Sequence, residues 1–271
     1  MLACDLEAYF AHIGFEGPRK ASLETLKALH GLHPQAIAFE NLDPLMGRPV
    51  MLDLESLLAK LVAQKRGGYC FEHNTLLEAT LRELGFDVKA LAARVAWNNP
   101  PGVVAPRTHM LLEVSLPQGR YIADVGFGGL TLTAPLRLEA DLVQETPHGV
   151  FRLARDDQAF ELQVRLGDEW AAIYRFSLEY QEPADRKIAN WYTSTHPDAL
   201  FTHSLIAARV AGDRRYGLLN TDLSIRHADG RAEKHKLETP AQLIDVLGSA
   251  FGIAVPEGDG EALAKLFPRE G

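Results

Sequence analysis

The apolar residues of this chain change their spacing at Gly85, and that change constrains the fold most. Before Gly85, apolar residues recur every three or four positions, which is the period of amphipathic helices. After Gly85, short apolar or alternating segments are separated by Gly, Pro and Asp, which is typical of strands and turns. A block of helices followed by a block of strands predicts an α+β fold.

Four helices are predicted in the first third of the chain. Gly14 ends the first helix, Ser22 and Asp53 cap the second and third, and the fourth runs from Cys70 to Gly85. Each helix carries one apolar stripe, which we interpret as a core face rather than a cofactor site. The stripes consist of Leu6, Tyr9, Phe10 and Ile13; Leu23, Leu26 and Leu29; Leu54, Leu57, Leu58 and Leu61; and Leu77, Leu81 and Leu84.

The middle of the chain predicts six strands joined by tight turns, and therefore an antiparallel sheet that closes into a barrel or a sandwich. These strands are Val88–Val95, His109–Leu116, Tyr121–Val125, Val150–Ala154, Phe160–Leu166 and Ala172–Phe176. The last part of the chain is mixed. It predicts helices over Ile188–Tyr192, Pro240–Leu247 and Glu261–Leu266, with strands over Leu205–Val210, Tyr216–Leu219 and Leu223–Arg226.

Composition narrows the classes of partner and compartment. The chain has 271 residues, is 46% hydrophobic and carries a formal charge of −8, with no block of Lys and Arg, so nucleic acid is not an expected partner. No apolar run is long enough for a membrane span, and the first residues lack a signal-peptide pattern. Two cysteines cannot form a disulfide framework, so we expect a reducing cytoplasm. Cys4 is interpreted as an incidental free thiol, with a Cys4–Cys70 disulfide as the alternative.

Cys70 is the strongest candidate for chemistry. It follows Gly67 and Gly68 and begins the fourth predicted helix, where unpaired N–H groups and the helix dipole stabilise a thiolate. We expect the two glycines to leave room for a substrate to approach the sulfur. The alternative is a structural cysteine, because free cysteines are among the most buried residues.

The strand pair after Gly85 supplies the partners that a cysteine nucleophile needs. If Leu116 pairs with Gly119, the numbers of paired residues sum to 235, and Asp124 becomes the diagonal neighbour of His109 on one face. Alone, His109 could be a half-buried core histidine and Asp124 a turn cap. Together with Cys70 they predict a Cys-His-Asp triad, in which Asp124 orients the ring and His109 takes the thiol proton.

At this point the sequence resembles the arylamine N-acetyltransferase family of bacterial type. The resemblance rests on Arg66-Gly67-Gly68-Tyr69-Cys70-Phe71-Glu72, Thr108-His109-Met110-Leu111-Leu112 and Asp124-Val125-Gly126-Phe127-Gly128, with Ile37-Ala38-Phe39-Glu40-Asn41-Leu42 upstream. It implies the triad Cys70, His109 and Asp124, a central β-barrel, and transfer of an acetyl group from acetyl-coenzyme A to arylamines or arylhydrazines. The implied chemistry is ping-pong, through an acetyl-cysteine.

The resemblance also implies a division of the chain and a substrate site. Residues 1–85 would be a helical bundle carrying the nucleophile, 86–184 a barrel carrying His109 and Asp124, and 185–271 a mixed α/β lid. The residues expected to bind the acceptor amine are Phe39, Phe71, Val95, Thr108 and Phe127. Those expected to offer backbone N–H groups to the coenzyme pyrophosphate are Gly126, Gly128 and Gly129. His73 is assigned no role.

Other histidines and basic residues give weaker signals. His30, His33, His227 and His235 form no HExxH pattern and the chain has no CxxC, so no metal is expected. Arg214-Arg215 and Lys234-His235-Lys236 are interpreted as solvated surface, with contact to a coenzyme phosphate as the alternative. The same triad also serves amide hydrolases and transglutaminases, and an inert triad would leave only a binding protein. The sequence does not decide the oligomeric state.

Overall fold

The computed structural model describes residues 3–100 and 102–267. Helices dominate the first third, as the spacing of apolar residues predicts. The α-helices of the described residues are α1 (Ala3–Ile13), α2 (Leu23–Ala36), α3 (Leu42–Leu45), α4 (Leu54–Leu57), α5 (Cys70–Glu83), α6 (Pro183–Thr195), α7 (Pro240–Ser249) and α8 (Asp259–Ala264). A π-helix (Leu58–Ala63) continues α4, and a 3₁₀-helix spans Leu200–Thr202.

The predicted helix ends in the first third of the chain are confirmed, whereas two C-terminal helices have other bounds: Ile188–Tyr192 is part of the longer α6, and α8 begins and ends two residues before the predicted Glu261–Leu266. The Ser22 hydroxyl accepts from the Thr25 N–H at the start of α2, and the Asp53 carboxylate accepts from the Ser56 N–H at the start of α4. Gly14 and Gly85, which follow α1 and α5, both have positive φ angles, a conformation that glycine adopts without steric cost. The four-residue α3 was not predicted, because a single turn is too short to show a helical period.

The strands form two antiparallel sheets. They are β1 (Phe39–Glu40), β2 (Asp87–Val95), β3 (His109–Leu116), β4 (Gly119–Ala123), β5 (Leu136–Arg137), β6 (Gln144–Thr146), β7 (Gly149–Asp156), β8 (Ala159–Leu166), β9 (Glu169–Tyr180), β10 (Ile206–Ala211), β11 (Arg214–Leu219), β12 (Asp222–His227) and β13 (Ala232–Lys236). The short β1, β5 and β6 and the exposed, polar β13 were not predicted.

The larger sheet has eight strands in the order β5-β4-β3-β2-β9-β8-β7-β6 and is nearly a closed barrel. Its edges meet where the Gln144 side-chain amide of β6 bonds both the N–H and the C=O of Arg137 in β5. The predicted register is confirmed, since Leu116 pairs with Gly119 and Leu112 with Ala123. The predicted strand Tyr121–Val125 is wrong at its end, because β4 stops at Ala123 and leaves Asp124 in the following turn.

The smaller sheet, in the order β1-β10-β11-β12-β13, links the two ends of the chain. Phe39 and Glu40 of β1 pair with Ala208 and Ala207 of β10, so a segment near the N-terminus becomes the edge of the C-terminal sheet. The fold class α+β, with N-terminal helices, a barrel-like sheet and a mixed C-terminal part, is confirmed. The division into three domains stays a prediction.

The core consists of three clusters, two of which meet along β3. Met110 and Leu112 face the cluster formed with the N-terminal helices, whereas Leu111 faces the interior of the barrel. A third cluster packs α7 on the C-terminal sheet. Strand β3 is therefore covered on both faces, which explains why Met110, Leu111 and Leu112 can all be apolar in succession.

Replacing Leu81 by Ala tests the packing of α5. Its side chain is fully buried between α5 and its neighbours, so the change should lower the free energy of unfolding by about 2–5 kcal/mol. Leu219→Ala is the matched control, because that side chain is half exposed and its loss should change the same quantity by less than about 1 kcal/mol. Urea denaturation measures both; equal losses would contradict the packing described.

Candidate active site

Cys70 occupies the first residue of α5, as predicted, and is buried with a free thiol. Its Sγ atom lies 3.6 Å from the Thr108 carbonyl oxygen. The helix start is fixed by Glu72, whose carboxylate accepts from the Tyr69 N–H at 3.0 Å. The Cys4 side chain lies outside the described part of the structure, so the predicted alternative disulfide is not addressed.

The glycines before Cys70 allow close packing of the backbone, and their expected role in leaving room for a substrate stays a prediction. A Cβ atom on Gly67 would collide with the Ala38 carbonyl oxygen, and one on Gly68 would lie 2.7 Å from the Glu72 carboxylate. Gly68 also forms backbone hydrogen bonds with Ala38 and Glu40. The two glycines therefore allow the nucleophile loop, residues 66–69, to pack tightly against β1.

A buried cluster of charges anchors the same loop. Arg66 pairs with Glu40 at 2.7 Å, and Lys60 pairs with both Glu72 at 2.7 Å and Asp43 at 2.6 Å. Every member of this cluster has an opposite charge within hydrogen-bond distance, which is the condition under which buried charges are tolerated.

His109 and Asp124 are brought together as the hairpin register predicts. His109 is the first residue of β3, and its Nε2 atom lies 2.8 Å from Oδ2 of Asp124. Both side chains are buried, and the Cys70 side chain is close enough to the ring to raise the pKa of His109, whose Nδ1 is the nitrogen that Asp124 does not use. The three predicted triad residues thus form a continuous chain of contacts.

Besides its bond to His109, Asp124 forms hydrogen bonds with three other residues, of which two donate to its carboxylate and one accepts from its backbone N–H. Its Oδ1 atom accepts from the Asn74 amide at 2.9 Å and from the Gly126 N–H at 3.0 Å. Its own backbone N–H donates to Nε2 of His30 in α2 at 3.0 Å. Burial acts to raise the pKa of Asp124, but His109, Asn74 and the Gly126 N–H outweigh it and lower that pKa.

The pKa of His109 is raised, whereas that of Asp124 is lowered. Burial acts to lower the pKa of His109, but the Asp124 carboxylate and, to a smaller extent, the Cys70 side chain raise it to about 10. The ring is therefore an imidazolium at neutral pH, hydrogen-bonded to a carboxylate.

Sequence reasoning missed two of these partners, Asn74 and His30. Asn74 lies four residues after Cys70, and on a helix that spacing puts both side chains on one face, which is the signal that could have identified it. Its amide also donates to the Met110 carbonyl at 2.8 Å, and its oxygen accepts from the Val125 N–H at 3.1 Å. His30 left no local signal, because it is 94 residues away from Asp124.

The residues expected to bind the acceptor differ in how close they lie to the triad. The Phe127 ring packs edge-on against His109 with 5.2 Å between centroids, and the Phe39 ring lies against Phe201. Thr108 contacts the sulfur through its carbonyl, and Val95 ends β2 on the neighbouring strand. Phe71 is fully buried in the helical core against Tyr69. The role of each in substrate binding stays a prediction.

The glycines after Asp124 differ in what they offer a ligand. The Gly126 N–H is used by Asp124, and a Cβ on Gly126 would lie 2.8 Å from the Cys70 Cα atom. Within residues 3–100 and 102–267, the N–H groups of Gly128 and Gly129 donate to no protein acceptor. The turn therefore holds the nucleophile helix through Gly126, and within the described residues the N–H groups of Gly128 and Gly129 stay without a protein acceptor.

Arg215 lies beside this turn and is not solvated surface, contrary to the simplest prediction. It is buried, and its guanidinium donates to the carbonyl oxygens of Thr131 at 2.9 Å and His148 at 2.8 Å. Burial and then Arg226 lower the pKa of Arg215 to about 10, so it stays charged at neutral pH. Arg214 and the basic residues Lys234, His235 and Lys236 are exposed, as predicted.

No three His, Cys, Asp or Glu side chains in the described part of the chain are arranged to hold a metal ion. None of the helices in the same part is long and apolar enough to cross a bilayer.

The sequence is similar to a known protein family over most of its length. A family profile described as N-acetyltransferase matches residues 22–259. The arylamine N-acetyltransferase of Mycolicibacterium smegmatis is 45% identical over 258 residues, which cover 93% of each chain. The arylamine N-acetyltransferase of Escherichia coli is 43% identical over 253 residues, covering 93% of this chain and 90% of that relative.

Solved structures agree with the sequence relatives. The structure of Mycobacterium marinum arylamine N-acetyltransferase in complex with CoA superposes with a TM-score of 0.92 at 44% identity, covering 96% of this chain and 97% of that one. The arylamine N-acetyltransferase of Mycobacterium tuberculosis gives a TM-score of 0.93 at 42% identity, covering 97% of this chain and 100% of that one.

Replacing Gly126 by Ala tests the contact between the turn and α5. The added Cβ atom would overlap the Cys70 Cα atom, so the free energy of unfolding should fall by about 1–3 kcal/mol. Gly129→Ala is the matched control, because nothing lies within 4 Å of its Cβ position and its φ angle is not positive. The free energy of unfolding of this variant should stay within about 1 kcal/mol of the wild-type value. Equal effects in denaturant titrations would argue against this contact.

Replacing Asp124 by Asn tests the origin of the imidazolium. Without the carboxylate, burial dominates, so the pKa of His109 should fall from about 10 to below 6.5. NMR titration of the His109 ring measures this shift directly.

The same variant should also differ from the wild type in how its free energy of unfolding depends on pH. Because folding raises the pKa of His109 above 6.5, its pairing stabilises the fold fully below about pH 6.5, and this contribution is lost as the pH rises through about 10. The free energy of unfolding of the wild type should therefore approach that of Asp124→Asn across this range. A gap that stays constant with pH would count against the pairing.

Proposed function

The chain belongs to the arylamine N-acetyltransferase family, and on that premise we propose that it transfers an acetyl group from acetyl-coenzyme A to arylamines or arylhydrazines. The observation that carries the proposal is the chain of contacts from Cys70 through His109 to Asp124. That arrangement provides a nucleophile, a proton carrier and an orienting carboxylate. The reaction is ping-pong, with an acetyl-cysteine between two half-reactions.

In the first half-reaction the Cys70 sulfur, as a thiolate, attacks the acetyl carbonyl carbon of acetyl-coenzyme A. A new carbon–sulfur bond forms on Cys70, and the carbon–sulfur bond to the coenzyme breaks. The departing coenzyme sulfur takes the proton of the His109 imidazolium and leaves as a thiol. Because one thioester replaces another, the step needs little driving force.

In the second half-reaction the acceptor amine attacks the acetyl-cysteine. The nitrogen forms the amide bond, the bond between the acetyl carbon and Cys70 breaks, and the amine proton passes to the neutral His109 ring. This restores the thiolate and the imidazolium together. Asp124 keeps Nε2 of the ring occupied, so that Nδ1 faces the sulfur throughout.

Backbone N–H groups at the start of α5 are suited to the oxyanion of each tetrahedral intermediate. Those of Cys70 and Phe71 lie at the positive end of the helix and donate to no acceptor in the described part of the chain. A donor of this kind contributes about 3–4 kcal/mol to transition-state stabilisation.

The acceptor site is formed by the apolar side chains around the triad. Phe39, Val95 and Phe127 provide walls for a flat aromatic amine, with Thr108 at the sulfur and Phe71 supporting Tyr69 from the core. Apolar walls also limit the access of water, which would otherwise hydrolyse the acetyl-cysteine.

The coenzyme pyrophosphate is assigned to the turn after Asp124. The free N–H groups of Gly128 and Gly129 point to an anion, and the nearby Arg215 is a buried cation whose contacts in the described residues are backbone carbonyls rather than a carboxylate. Gly126, also expected here, donates its N–H to Asp124 and packs against Cys70, so it is not assigned to the pyrophosphate. Location in the cytoplasm stays a prediction.

Intact-protein mass spectrometry tests the proposal. Wild-type protein mixed with acetyl-coenzyme A should gain one acetyl group and lose it when aniline is added. Cys70→Ala should gain none, with its far-UV circular dichroism unchanged, because the sulfur that forms the thioester is gone. Cys4→Ala is the matched control and should be acetylated like the wild type.

Two outcomes would overturn this function. An acetyl group on Cys70→Ala would place the intermediate elsewhere. Loss of the acetyl group as free acetate, with no acetanilide formed, would favour an amide hydrolase or a transglutaminase-like enzyme.

A further inference from the structure

Three buried polar side chains outside the triad form a continuous hydrogen-bonded chain that ends at the nucleophile loop. The Tyr9 hydroxyl lies 2.7 Å from Nδ1 of His33, and Nε2 of His33 lies 2.8 Å from Nδ1 of His73. Nε2 of His73 lies 2.9 Å from the Gly68 carbonyl oxygen and 3.2 Å from that of Ala38. All three side chains are fully buried.

The two carbonyl oxygens determine the direction of every bond in this chain. A carbonyl can only accept, so Nε2 of His73 carries a proton and Nδ1 of His73 accepts. His33 must then donate from Nε2 and accept at Nδ1, which leaves the Tyr9 hydroxyl as the donor. Only this arrangement satisfies every group, and it requires both rings to be neutral.

The electrostatics of the two rings agree with that assignment. Burial lowers the pKa of His73 to about 4, against an opposing contribution from the Gly68 and Ala38 carbonyls. Burial also holds the pKa of His33 well below its usual value, and the neighbouring His73 and His30 lower it further.

His73 is also in contact with the other parts of the site. It lies on the first turn of α5, three residues after Cys70, and its side chain reaches back to the loop that precedes the helix. Its ring is parallel to that of Phe39, with 6.4 Å between centroids, and a Cβ on Gly126 would lie 3.1 Å from the His73 Cβ atom. A shift of His73 would therefore move the loop, the acceptor wall and the Asp124 turn.

We propose that Tyr9, His33 and His73 form a neutral relay that positions Gly68, and through it Cys70, for attack on the acetyl donor. The inference rests on the proposed function, because it concerns the same sulfur. His73 is a positioning residue rather than a catalytic one, since it acts through the Gly68 carbonyl. The loss of its bond to Gly68 should slow the chemical step rather than weaken donor binding.

Two substitutions of His73 separate positioning from simple core packing. In His73→Gln the side-chain amide can reach the Gly68 carbonyl as Nε2 does, and its oxygen can accept from His33. In His73→Asn the shorter amide occupies the place of Nδ1 and leaves the Gly68 carbonyl without this donor. Both variants put a polar amide into the same cavity, so each controls for the other.

Single-turnover acetylation of Cys70 by acetyl-coenzyme A, followed by intact mass, is the measurement. At saturating donor, His73→Asn should react about tenfold or more slowly than the wild type, and His73→Gln within about threefold of it. The half-saturating donor concentration should be similar in all three proteins. Equal rates for the two variants, or a change confined to the half-saturating concentration, would overturn the relay.

The result separates this inference from the function on which it rests. If the wild type takes up no acetyl group, the proposed function fails; if the wild type and His73→Asn react alike, only the relay fails. ¹⁵N NMR of the wild-type rings decides the question even if His73→Asn does not fold. Both rings should carry their proton on Nε2 alone at neutral pH, and a protonated Nδ1 on either ring would refute the relay.

Discussion

The hydrogen bond between Asp124 and His109 is the interaction on which the rest of the site depends. A carboxylate buried this completely is stable only if donors replace the water it has lost. Asp124 has three such donors, the His109 ring, the Asn74 amide and the Gly126 N–H. Their combined effect keeps the carboxylate ionised, and the ionised carboxylate in turn keeps His109 protonated.

The contacts that compensate this charge also set the geometry of the sulfur. Asn74 belongs to the same helix as Cys70 and lies one turn further on, so its bond to Asp124 fixes the helix relative to the hairpin. Gly126, the second donor, packs on the Cys70 backbone itself. Electrostatic compensation and positioning are therefore provided by the same few atoms, and neither can be changed without the other.

The sequence was informative wherever structure depends on neighbours along the chain. The caps at Ser22 and Asp53, the start of α5 at Cys70 and the register of β3 with β4 all follow from local patterns, and the last of these brought His109 and Asp124 together. Contacts between distant segments left no such pattern. Strand β1 has two residues and no period, and its partner β10 lies more than 160 residues later.

The same limit explains the functional residues that were missed. Each ring of the relay has its partner on a different element, so His33 and His73 looked like isolated histidines in the sequence. The packing role of Gly67 was missed for a related reason, because the Ala38 carbonyl that excludes a Cβ atom there belongs to a remote segment. Arg215 resembled a surface arginine until its carbonyl partners were in place.

Polar groups are buried around Cys70 in two chemically different ways, and the difference matters for the sulfur. The charged cluster of Glu40, Arg66, Asp43, Lys60 and Glu72 anchors one side of the loop, and Lys60 and Asp43 in it remain partly exposed to water. The other side is held by the fully buried, neutral side chains of Tyr9, His33 and His73 instead. A cation at His73 would repel the His109 imidazolium through a medium that screens poorly, and would lower its pKa. A neutral relay fixes the loop without that repulsion, so that the charge balance at Cys70 is left to His109 and Asp124.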